Sequence, residues 1–422
     1  MRSTSCKEIA QDLLDRCVAG NPPKELPRAL VEEPCGQALF GILVEGLADR
    51  FEPALCDVYA RLFSQAVAHV TEGVDPASLV AHYERVRRTR PISGKPQQVY
   101  VLSRVTLGAD VAVSSVLLRA AKRRFPEARI VFVGPAKNFE LFAGDPRIHH
   151  APVPYRRGGL RERLAVWEEL KVLLTADDAV VIDPDSRLTQ LGLLPVCAED
   201  RHHLFESRAY GAETGSALSE LAAAWARETF GVIGGKPYIA LSRAGRAAPK
   251  RKAEPKAKAE PRPSGSGRPA GPYIAVNLGI GENPAKRIPD PFEEQLLALL
   301  AETGLGLYID KGAGGEEAER VERAVERAAV KPTWWEGSFA GFAEIIARSR
   351  LYVGYDSAGQ HAAAACGVPL ISVFAGFPAP RMFERWRPLG ERCQVIRVDR
   401  RDAAETLASV REALKLWQRV VS

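Results

Sequence analysis

The chain has 422 residues, of which 46% are apolar and 26% charged, a composition typical of a globular protein long enough for two or three domains. No apolar run approaches the roughly 20 residues that a membrane-spanning helix needs, and the amino-terminal residues lack the apolar core of a secretory signal, so a cytoplasmic protein is expected. The seven cysteines contain no C-x-x-C pair and no metal-binding spacing, which predicts reduced thiols.

The net charge of +6 comes from one segment, residues 244–270. This segment contains eight Lys or Arg and two Glu, so it carries the whole positive excess, and the rest of the chain is close to neutral. We therefore expect no nucleic-acid partner. Because the segment has no aromatic or large aliphatic residue, we predict a disordered basic linker between two lobes. The alternative is that its lysines contact a polyanion, such as an anionic membrane surface.

Residues 1–95 predict a small all-helical domain. Apolar residues recur at helical spacing in two stretches, Ile9, Leu13, Leu14 and Cys17, and then Leu55, Val58, Tyr59, Leu62 and Phe63. Asp75 followed by Pro76 indicates a helix start, with the aspartate as cap and the proline at the first helical position. The segment shows no catalytic constellation, and we expect it to serve in packing or in partner contact.

Strands alternate with helices from residue 96 onward. Before the linker, the pattern predicts strands at 99–102, 130–133, 151–154, 179–182 and 238–241 and helices at 111–124, 160–174 and 216–230. After the linker, it predicts strands at 273–278, 305–309, 351–353, 370–374 and 394–398 and helices at 291–302, 316–329, 339–349, 360–366 and 403–421. This alternation indicates an α/β protein with two doubly wound Rossmann-like lobes, residues 96–243 and 271–422, each built on a parallel sheet.

The segment 351–374 combines a strand, a tight turn, a small-residue helix and a second strand, which is the βαβ unit of a parallel sheet. Asp356, Ser357 and Gly359 lie in its turn, where N–H groups at the helix N-terminus favour a phosphate and the serine hydroxyl can bond to it. Asp356 could hold hydroxyl groups of a ligand, and His361 could donate to a phosphate or position the loop. The alternative is an ordinary turn in which Asp356 and Ser357 cap the helix.

This segment resembles the signature of a known family. The sequence DSAGQHAAAACGVP, which starts at Asp356, is similar to the Asp-Ser/Thr-Gly-x-x-His and Gly-Val-Pro signature of the heptosyltransferase-like glycosyltransferases, glycosyltransferase family nine. It differs by placing Gly359 one residue later, with Ala358 where the family usually has glycine.

Two further segments extend the resemblance from about residue 98 to the end of the chain, without the linker. The run that starts at Asp110 and ends in Phe-Pro resembles the family's first helix after a Gly-Asp turn, although Ala109 here separates Gly108 from the aspartate. The sequence NLGIGENPAKRIPD, residues 277–290, resembles a Gly-rich turn followed by Lys-Arg-Trp-Pro, with Ile288 in the tryptophan position.

The resemblance implies a GT-B fold and an inverting, metal-independent glycosyltransferase that needs no cofactor. Its donor would be a nucleotide-diphosphate sugar, ADP-heptose by analogy with the family, and its acceptor a hydroxyl of a glycan or glycolipid at the inner membrane face. In such a transfer the acceptor hydroxyl loses a proton, and the leaving diphosphate gains negative charge that must be stabilised.

Each of these two demands has a candidate residue. Asp110 follows the first strand at the edge that faces the cleft between the lobes, and the resemblance makes it the general base, because a carboxylate is ionised near neutral pH. Its alternative role is a helix cap. Lys286 would neutralise the diphosphate, and its alternative is a solvated loop lysine. Gly279 and Gly281 would let the backbone approach the ligand closely.

Other interpretations stay open at this point. Asp183 and Asp185 form an Asp-x-Asp sequence after a strand, which resembles the metal motif of the GT-A glycosyltransferases, but we expect a plain strand end and no metal site. A non-catalytic binding or scaffold protein could keep both lobes and recruit partners through the helical domain and the linker. A nucleotide-sugar epimerase could use the same two-lobe plan.

Overall fold

The computed structural model of the protein describes residues 5–242, 271–281, 283–312 and 314–421, and the predicted linker at 244–270 therefore lies outside the described residues. The chain forms two compact units. The first consists of Met1–Phe139, Pro146–Pro237 and Pro378–Arg387, and the second consists of Glu140–Asp145, Tyr238–Phe377 and Pro388–Ser422. Each helix in the described part of the chain is too short or too polar to cross a membrane.

The first unit is built on a five-stranded parallel sheet. Its strands are β1 (Gln98–Leu102), β2 (Arg129–Gly134), β3 (Ile148–Pro152), β4 (Ala179–Asp183) and β5 (His202–Leu204), in the order β3-β2-β1-β4-β5. Its longer helices are α1 (Cys6–Val18), α2 (Pro53–Val70), α3 (Pro76–Val86), α4 (Ser115–Arg124), α5 (Leu160–Leu173) and α6 (Leu218–Phe230). Short helical segments are Arg28–Val31, Glu33–Cys35, Gly36–Ala38, Leu39–Val44, Glu45–Ala48, Leu107–Ala109, Asp110–Ser114, Ala136–Phe139 and Arg187–Thr189.

Local sequence explains where the amino-terminal helices begin. Ser5 and Glu8 form a capping box at α1, in which the Ser5 hydroxyl accepts from the Glu8 N–H at 3.3 Å and the Glu8 carboxylate accepts from the Ser5 N–H at 2.7 Å. Asp75 caps α3 by accepting from the N–H groups of Ala77 and Ser78, which confirms the predicted start.

The amino-terminal helices and the first sheet share one hydrophobic core. Leu13 of α1 and Phe63 of α2 belong to the same buried cluster as Tyr100, Val131 and Val181 of three adjacent strands. Because side chains alternate between the two faces of a strand, these strand residues all lie on one face of the sheet. The helical segment therefore covers that face and is part of the first unit.

The second unit is built on a six-stranded parallel sheet. Its strands are β6 (Tyr273–Asn277), β7 (Gly306–Asp310), β8 (Thr333–Trp335), β9 (Leu351–Tyr355), β10 (Leu370–Phe374) and β11 (Cys393–Arg397), in the order β11-β10-β9-β6-β7-β8. Its longer helices are α7 (Phe292–Ala301), α8 (Gly315–Arg327), α9 (Phe339–Arg348), α10 (Ala358–Ala365) and α12 (Ala403–Val421). Another helix, α11 (Pro380–Trp386), lies between α10 and α12 in sequence. A 3₁₀ turn, Pro284–Lys286, precedes α7.

The helix α11 belongs to the first unit although its sequence follows β10. The Arg385 side chain is buried, and its guanidinium donates to the carbonyl oxygens of Gly211 and Ser216, each at 2.6 Å. Charged donors on backbone carbonyls give strong hydrogen bonds, so this arginine fixes α11 to the loop before α6.

Most predicted elements are present, and the exceptions have simple causes. Residues 238–241 do not form the predicted strand, although Ala240 exchanges two backbone hydrogen bonds with Leu141 and Gly144. Two elements of three residues, β5 and β8, were not predicted, because so short a run shows no periodicity. The helix α11 was not predicted either, since it carries two arginines and a glutamate on seven residues.

One pair of cysteines corrects the prediction of reduced thiols. Cys6 in α1 and Cys35 form a disulfide with a Cα–Cα distance of 5.3 Å, and the prediction is wrong for this pair. The two residues are 29 positions apart in sequence, and only the packing of α1 against the turn at Glu33–Cys35 brings them together. Disulfides are rare in reducing compartments, so this bond does not fit the expectation of a protein with reduced thiols.

The disulfide predicts the result of a thiol count. When the denatured, non-reduced protein is alkylated, we expect five of the seven cysteines to react, because the other two are bonded to each other. Mass spectrometry of a digest should identify the cross-linked Cys6 and Cys35 peptides, and prior reduction should yield seven labelled cysteines. Seven labelled cysteines without reduction would contradict the disulfide.

Two buried histidines of the first unit predict sensitivity to acid. Burial lowers the pKa of His82 in α3 to about 4, and burial lowers the pKa of His203 in β5 to about 3. An unfolded histidine has a pKa of about 6.5, so unfolding takes up protons below that pH. The contribution of the two neutral histidines to the free energy of unfolding is complete above about pH 6.5. It is lost as the pH falls toward their pKa values in the folded protein.

We therefore expect the melting temperature to fall between about pH 6.5 and pH 4, measured by differential scanning fluorimetry in one buffer series. The His82→Gln variant keeps a neutral polar side chain that does not titrate, and its melting temperature should fall less steeply over this range. An identical slope for the variant and the natural protein would exclude a contribution from His82.

Candidate active site

In the second sheet, the direction in which successive strands are added changes between β6 and β9. The chain passes from β6 to β7 on one side, and β9 lies on the other side of β6, with Asn277 paired to Gly354 in the register. Ligands of open parallel sheets bind outside the carboxyl ends of the strands at such a point. The loop after β6, the turn after β9 and the start of α10 therefore lie at one edge of the sheet, and together they contain seven of the nine predicted site residues.

Lys286 lies at the end of the 3₁₀ turn after β6, and the turn is fixed from two sides. The Asn283 side chain accepts from the Ala285 N–H at 3.0 Å and donates to the Gly376 carbonyl at 3.3 Å. Gly376 has a φ of +71°, and a Cβ on it would lie 2.5 Å from the Ala285 carbonyl carbon. Only glycine allows the loop after β10 to come this close to the turn that carries the lysine.

Lys286 and Asp356 form an ion pair. The lysine Nζ lies 2.7 Å from Asp356 Oδ2 and 3.1 Å from the carbonyl oxygen of the same residue. The side chains are 19% and 7% exposed, respectively. An ammonium group has three N–H donors, so the pair leaves one for a ligand. Two residues that were predicted separately are thus in direct contact.

Ser357 is the cap of α10, as the alternative interpretation stated. Its hydroxyl accepts from the Gly359 N–H at 3.3 Å and lies 3.4 Å from both Tyr352 Oη and Asn277 Oδ1. A Cβ on Gly359 would lie 2.2 Å from Tyr352 Oη, so the buried tyrosine beneath the turn explains why glycine stands at this position. Ala358, where the family usually has glycine, is the first residue of the helix.

His361 is a buried, neutral histidine. Burial lowers its pKa to about 4, with Asp356 acting against this shift and Lys286 adding to it. The imidazole is therefore uncharged at neutral pH and can offer a ligand a hydrogen bond but no positive charge. This leaves Lys286 as the cation among the predicted residues of this edge.

The glycine-rich loop after β6 lies beside a polar pair that the sequence analysis missed. The Gly279 N–H donates to Asn277 Oδ1 at 3.0 Å, and Asn277 Nδ2 donates to Asp310 Oδ2 at 2.7 Å. Burial raises the pKa of Asp310. Gly281 has a φ of +59° and free space around its Cβ position. Asn277 and Asp310 are each the last residue of a strand at this edge. A polar residue at a strand end was the sequence signal that could have identified them.

Ile288, which replaces the family's tryptophan, is a core residue. It is fully buried in the cluster that includes Phe292 and Tyr355, and its N–H donates to Tyr355 Oη at 3.3 Å. This departure therefore concerns the packing below the lysine turn.

Gly108 and Asp110 lie together in the first unit, after β1. Gly108 is part of the helical turn Leu107–Ala109, and Asp110 is fully buried. Four donors contact the Asp110 carboxylate, namely Ser103 Oγ at 2.6 Å, the Arg104 N–H at 2.7 Å, Ser114 Oγ at 2.6 Å and Asn138 Nδ2 at 2.6 Å. Burial raises the pKa of Asp110, and the four hydrogen bonds oppose that shift. The carboxylate thus joins the turn after β1 to the segment after β2.

The Asp-x-Asp sequence after β4 is occupied by internal partners. Asp183 accepts from the Ser186 N–H at 2.7 Å, and Asp185 accepts from Arg208 Nε at 3.0 Å and Ser207 Oγ at 2.8 Å. Across residues 5–242, 271–281, 283–312 and 314–421, no three His, Cys, Asp or Glu residues are placed to share a metal ion. Both aspartates stabilise the turn at the end of the strand.

Comparisons with known structures support the fold. The E. coli ADP-heptose LPS heptosyltransferase II has 20% identity and a TM-score of 0.50, with 76% of this chain and 99% of that chain covered. A glycosyl transferase family 9 protein from Veillonella parvula has 14% identity and a TM-score of 0.52, with 76% and 90% covered. The E. coli heptosyltransferase WaaC with ADP has 17% identity and a TM-score of 0.51, with 75% and 99% covered. At these identities the likeness shows the fold, and the predicted GT-B class is confirmed.

A comparison with curated protein sequences finds no match, whereas a protein-family model matches the chain. The model of glycosyltransferase family 9 (heptosyltransferase) matches residues 196–415, which include Lys286 and the segment from Asp356 to His361, whereas Asp110 lies outside this range. The matched region is more than half of the 422 residues. The chain therefore belongs to glycosyltransferase family 9, as the sequence predicted, and it is a glycosyltransferase.

Proposed function

We propose that this glycosyltransferase moves a sugar from a nucleotide-diphosphate donor to a hydroxyl of a glycan or glycolipid, with inversion and without a metal ion. The Lys286–Asp356 pair at the switch point of the second sheet carries this proposal, because it fixes a lysine where a diphosphate would be met. The similar E. coli proteins are an ADP-heptose heptosyltransferase and a heptosyltransferase with ADP, which supports ADP-heptose as the donor.

The leaving diphosphate would be stabilised by charge and by backbone donors. Lys286 keeps one N–H donor free of Asp356 and offers a full positive charge. The first turn of α10 adds N–H groups and the positive end of its dipole. Together these groups supply the charge that a divalent cation supplies in other transferases, and we therefore propose that no metal is needed.

Inversion follows from a single displacement. The acceptor oxygen bonds to the anomeric carbon as the bond from that carbon to the diphosphate oxygen breaks, and the acceptor proton passes to a base. Asp110 stays our proposed base. Since its carboxylate accepts four hydrogen bonds within the first unit, at least one donor must leave before it can take this proton.

The acceptor would be approached at a membrane surface. The linker at 244–270 carries the whole positive excess of the chain, and lysine-rich segments are attracted to anionic lipid headgroups. We propose that it brings the enzyme to the inner membrane face without inserting into it.

The donor proposal is tested by nucleotide binding. We expect ADP and ADP-heptose to raise the melting temperature more than UDP or GDP, and we expect Lys286→Ala to raise the dissociation constant roughly 10- to 100-fold, the usual cost of a lost charged hydrogen bond. Titration calorimetry measures this effect. Lys331→Ala, which removes an exposed lysine of the same unit, is the matched control and should bind normally. If none of the nucleotides changes the melting temperature of the natural protein, the donor proposal is refuted.

The base is tested by separating stability from chemistry. Asp110→Ala leaves four donors unpaired and should lower the free energy of unfolding by about 3 kcal/mol or more, measured by urea titration. Asp110→Asn should lower kcat per folded molecule by roughly 10²- to 10⁴-fold while nucleotide binding is retained. Ser114→Ala keeps the carboxylate and removes one of the donors that must leave it, so its kcat should be retained or raised. Full activity per folded Asp110→Asn molecule would assign the aspartate to stability alone.

A further inference from the structure

Gln360 lies beside the proposed donor site, yet neither the resemblance nor the proposed function gives it a role. It is in α10, one turn after Asp356, and its side chain is fully buried. Its amide nitrogen donates to Asp356 Oδ1, and its amide oxygen accepts from the Ser372 hydroxyl at 2.6 Å. Ser372 is a fully buried residue of β10.

The partners fix the orientation of the amide. An ionised carboxylate can only accept hydrogen bonds, so the amide nitrogen must face Asp356. The serine hydroxyl can donate to the amide oxygen on the other side. Ser372 is held in the sheet, where it pairs in register with Gly354 of β9, so the orientation is set by the sheet.

The two oxygens of Asp356 therefore have different partners. Oδ1 accepts from the neutral amide of Gln360, and Oδ2 accepts from Lys286 at 2.7 Å. The amide supplies this hydrogen bond without adding a charge. Asp356 is therefore the carboxylate of this group that pairs with Lys286.

We propose that Gln360 is a positioning residue for the glycosyl transfer, which holds Asp356 so that one oxygen fixes Lys286 and the lysine remains available to the diphosphate of the donor. This inference rests on the proposed function. When the diphosphate draws the lysine away, Asp356 keeps the hydrogen bond of Gln360 and is not left unpaired.

The groups that face Gln360 define its electrostatic surroundings. Asp356 lies on the preceding turn, Lys286 approaches from the 3₁₀ turn after β6, and β10 contributes the Ser372 hydroxyl. His361 Nε2 lies 3.4 Å from the amide nitrogen, and burial keeps this imidazole neutral by lowering its pKa to about 4. Among these groups Asp356 is thus the charged one that contacts Gln360, and Lys286 is paired with the other oxygen of that carboxylate.

Two substitutions of nearly equal size separate positioning from packing. Gln360→Met keeps the volume and removes the donor to Asp356. Gln360→Glu keeps the shape and replaces the amide by a group that titrates. When its carboxyl is protonated, it can donate to Asp356 as the amide does, and when it is ionised, it repels Asp356 and attracts Lys286.

The first measurement needs no substrate. Competitive acetylation followed by mass spectrometry reports the reactivity of Lys286, with exposed Lys331 as the internal reference. At pH 8 we expect acetylation of Lys286 to be faster in Gln360→Met by roughly threefold or more, since its ion pair is weakened, and slower in Gln360→Glu, since a second carboxylate holds it. Equal rates in all three proteins would overturn the proposal. Circular dichroism and the melting temperature show that the variants are folded.

The second measurement is the pH profile of kcat/KM with a nucleotide-sugar donor. Gln360→Glu should approach the natural enzyme near pH 5.5 and lose about tenfold or more by pH 8, whereas Gln360→Met should be reduced by a similar factor at every pH. Ser372→Ala, which frees the amide, should fall between Gln360→Met and the natural enzyme. A pH profile of Gln360→Glu parallel to that of the natural enzyme would overturn the positioning role. Failure of the natural protein to bind any nucleotide sugar would refute the proposed function. The acetylation rates would still decide whether Gln360 fixes Lys286 through Asp356.

Discussion

The ion pair between Lys286 and Asp356 determines the arrangement of the candidate site. It joins the loop after β6 to the turn after β9, which are the two connections that flank the switch point of the second sheet. Both side chains are mostly buried, and removing one partner from such a pair leaves an uncompensated charge, at a cost of about 3–5 kcal/mol. The pair therefore keeps the two loops together, and an anion that approaches the lysine meets its remaining N–H donor beside a protein carboxylate.

Neutral groups around this pair limit the charge that a ligand meets. His361 is uncharged at neutral pH because burial lowers its pKa to about 4, and Gln360 contributes an amide. Ser357 caps α10 with its hydroxyl. Lys286, Asp356, His361, Gln360 and Ser357 thus present one lysine, one carboxylate and several dipoles, an arrangement suited to an anion, since the dipoles are already oriented.

The sequence was sufficient for the longer strands of both sheets and for several residues at the edge of the second sheet, and insufficient for their pairing. The segment from Asp356 to His361 could be found because it follows an apolar strand, whereas Lys286 was found through the resemblance to the family's Lys-Arg-Trp-Pro motif. That they touch depends on β6 lying beside β9, and strand order is a tertiary property that no local pattern contains. The contact between Asn277 and Asp310 was missed for the same reason, because it depends on β6 lying beside β7.

The disulfide and the failed strand have related explanations. Cys6 and Cys35 meet because α1 packs against a short turn, which composition and spacing do not report. Residues 238–241 have the apolar pattern of a strand, but they do not form one, although Ala240 exchanges backbone hydrogen bonds with Leu141 and Gly144. A pattern of alternating side chains indicates that a strand can form, whereas a ladder of partners decides whether it does.

The two sheets share a topology and differ in how the carboxylate at the switch point is satisfied. In the first unit Asp110 follows β1 and accepts four hydrogen bonds from uncharged groups of its own turn and its neighbour, so the protein itself satisfies it. In the second unit Asp356 follows β9 and is paired with a lysine that keeps a free donor. Displacing a neutral donor from Asp110 exposes a buried charge, whereas an anion can bind the remaining donor of Lys286 while Asp356 stays paired. For this reason the edge of the second sheet is suited to an anionic ligand, and the proton transfer that we propose for Asp110 would require a local opening of the turn after β1.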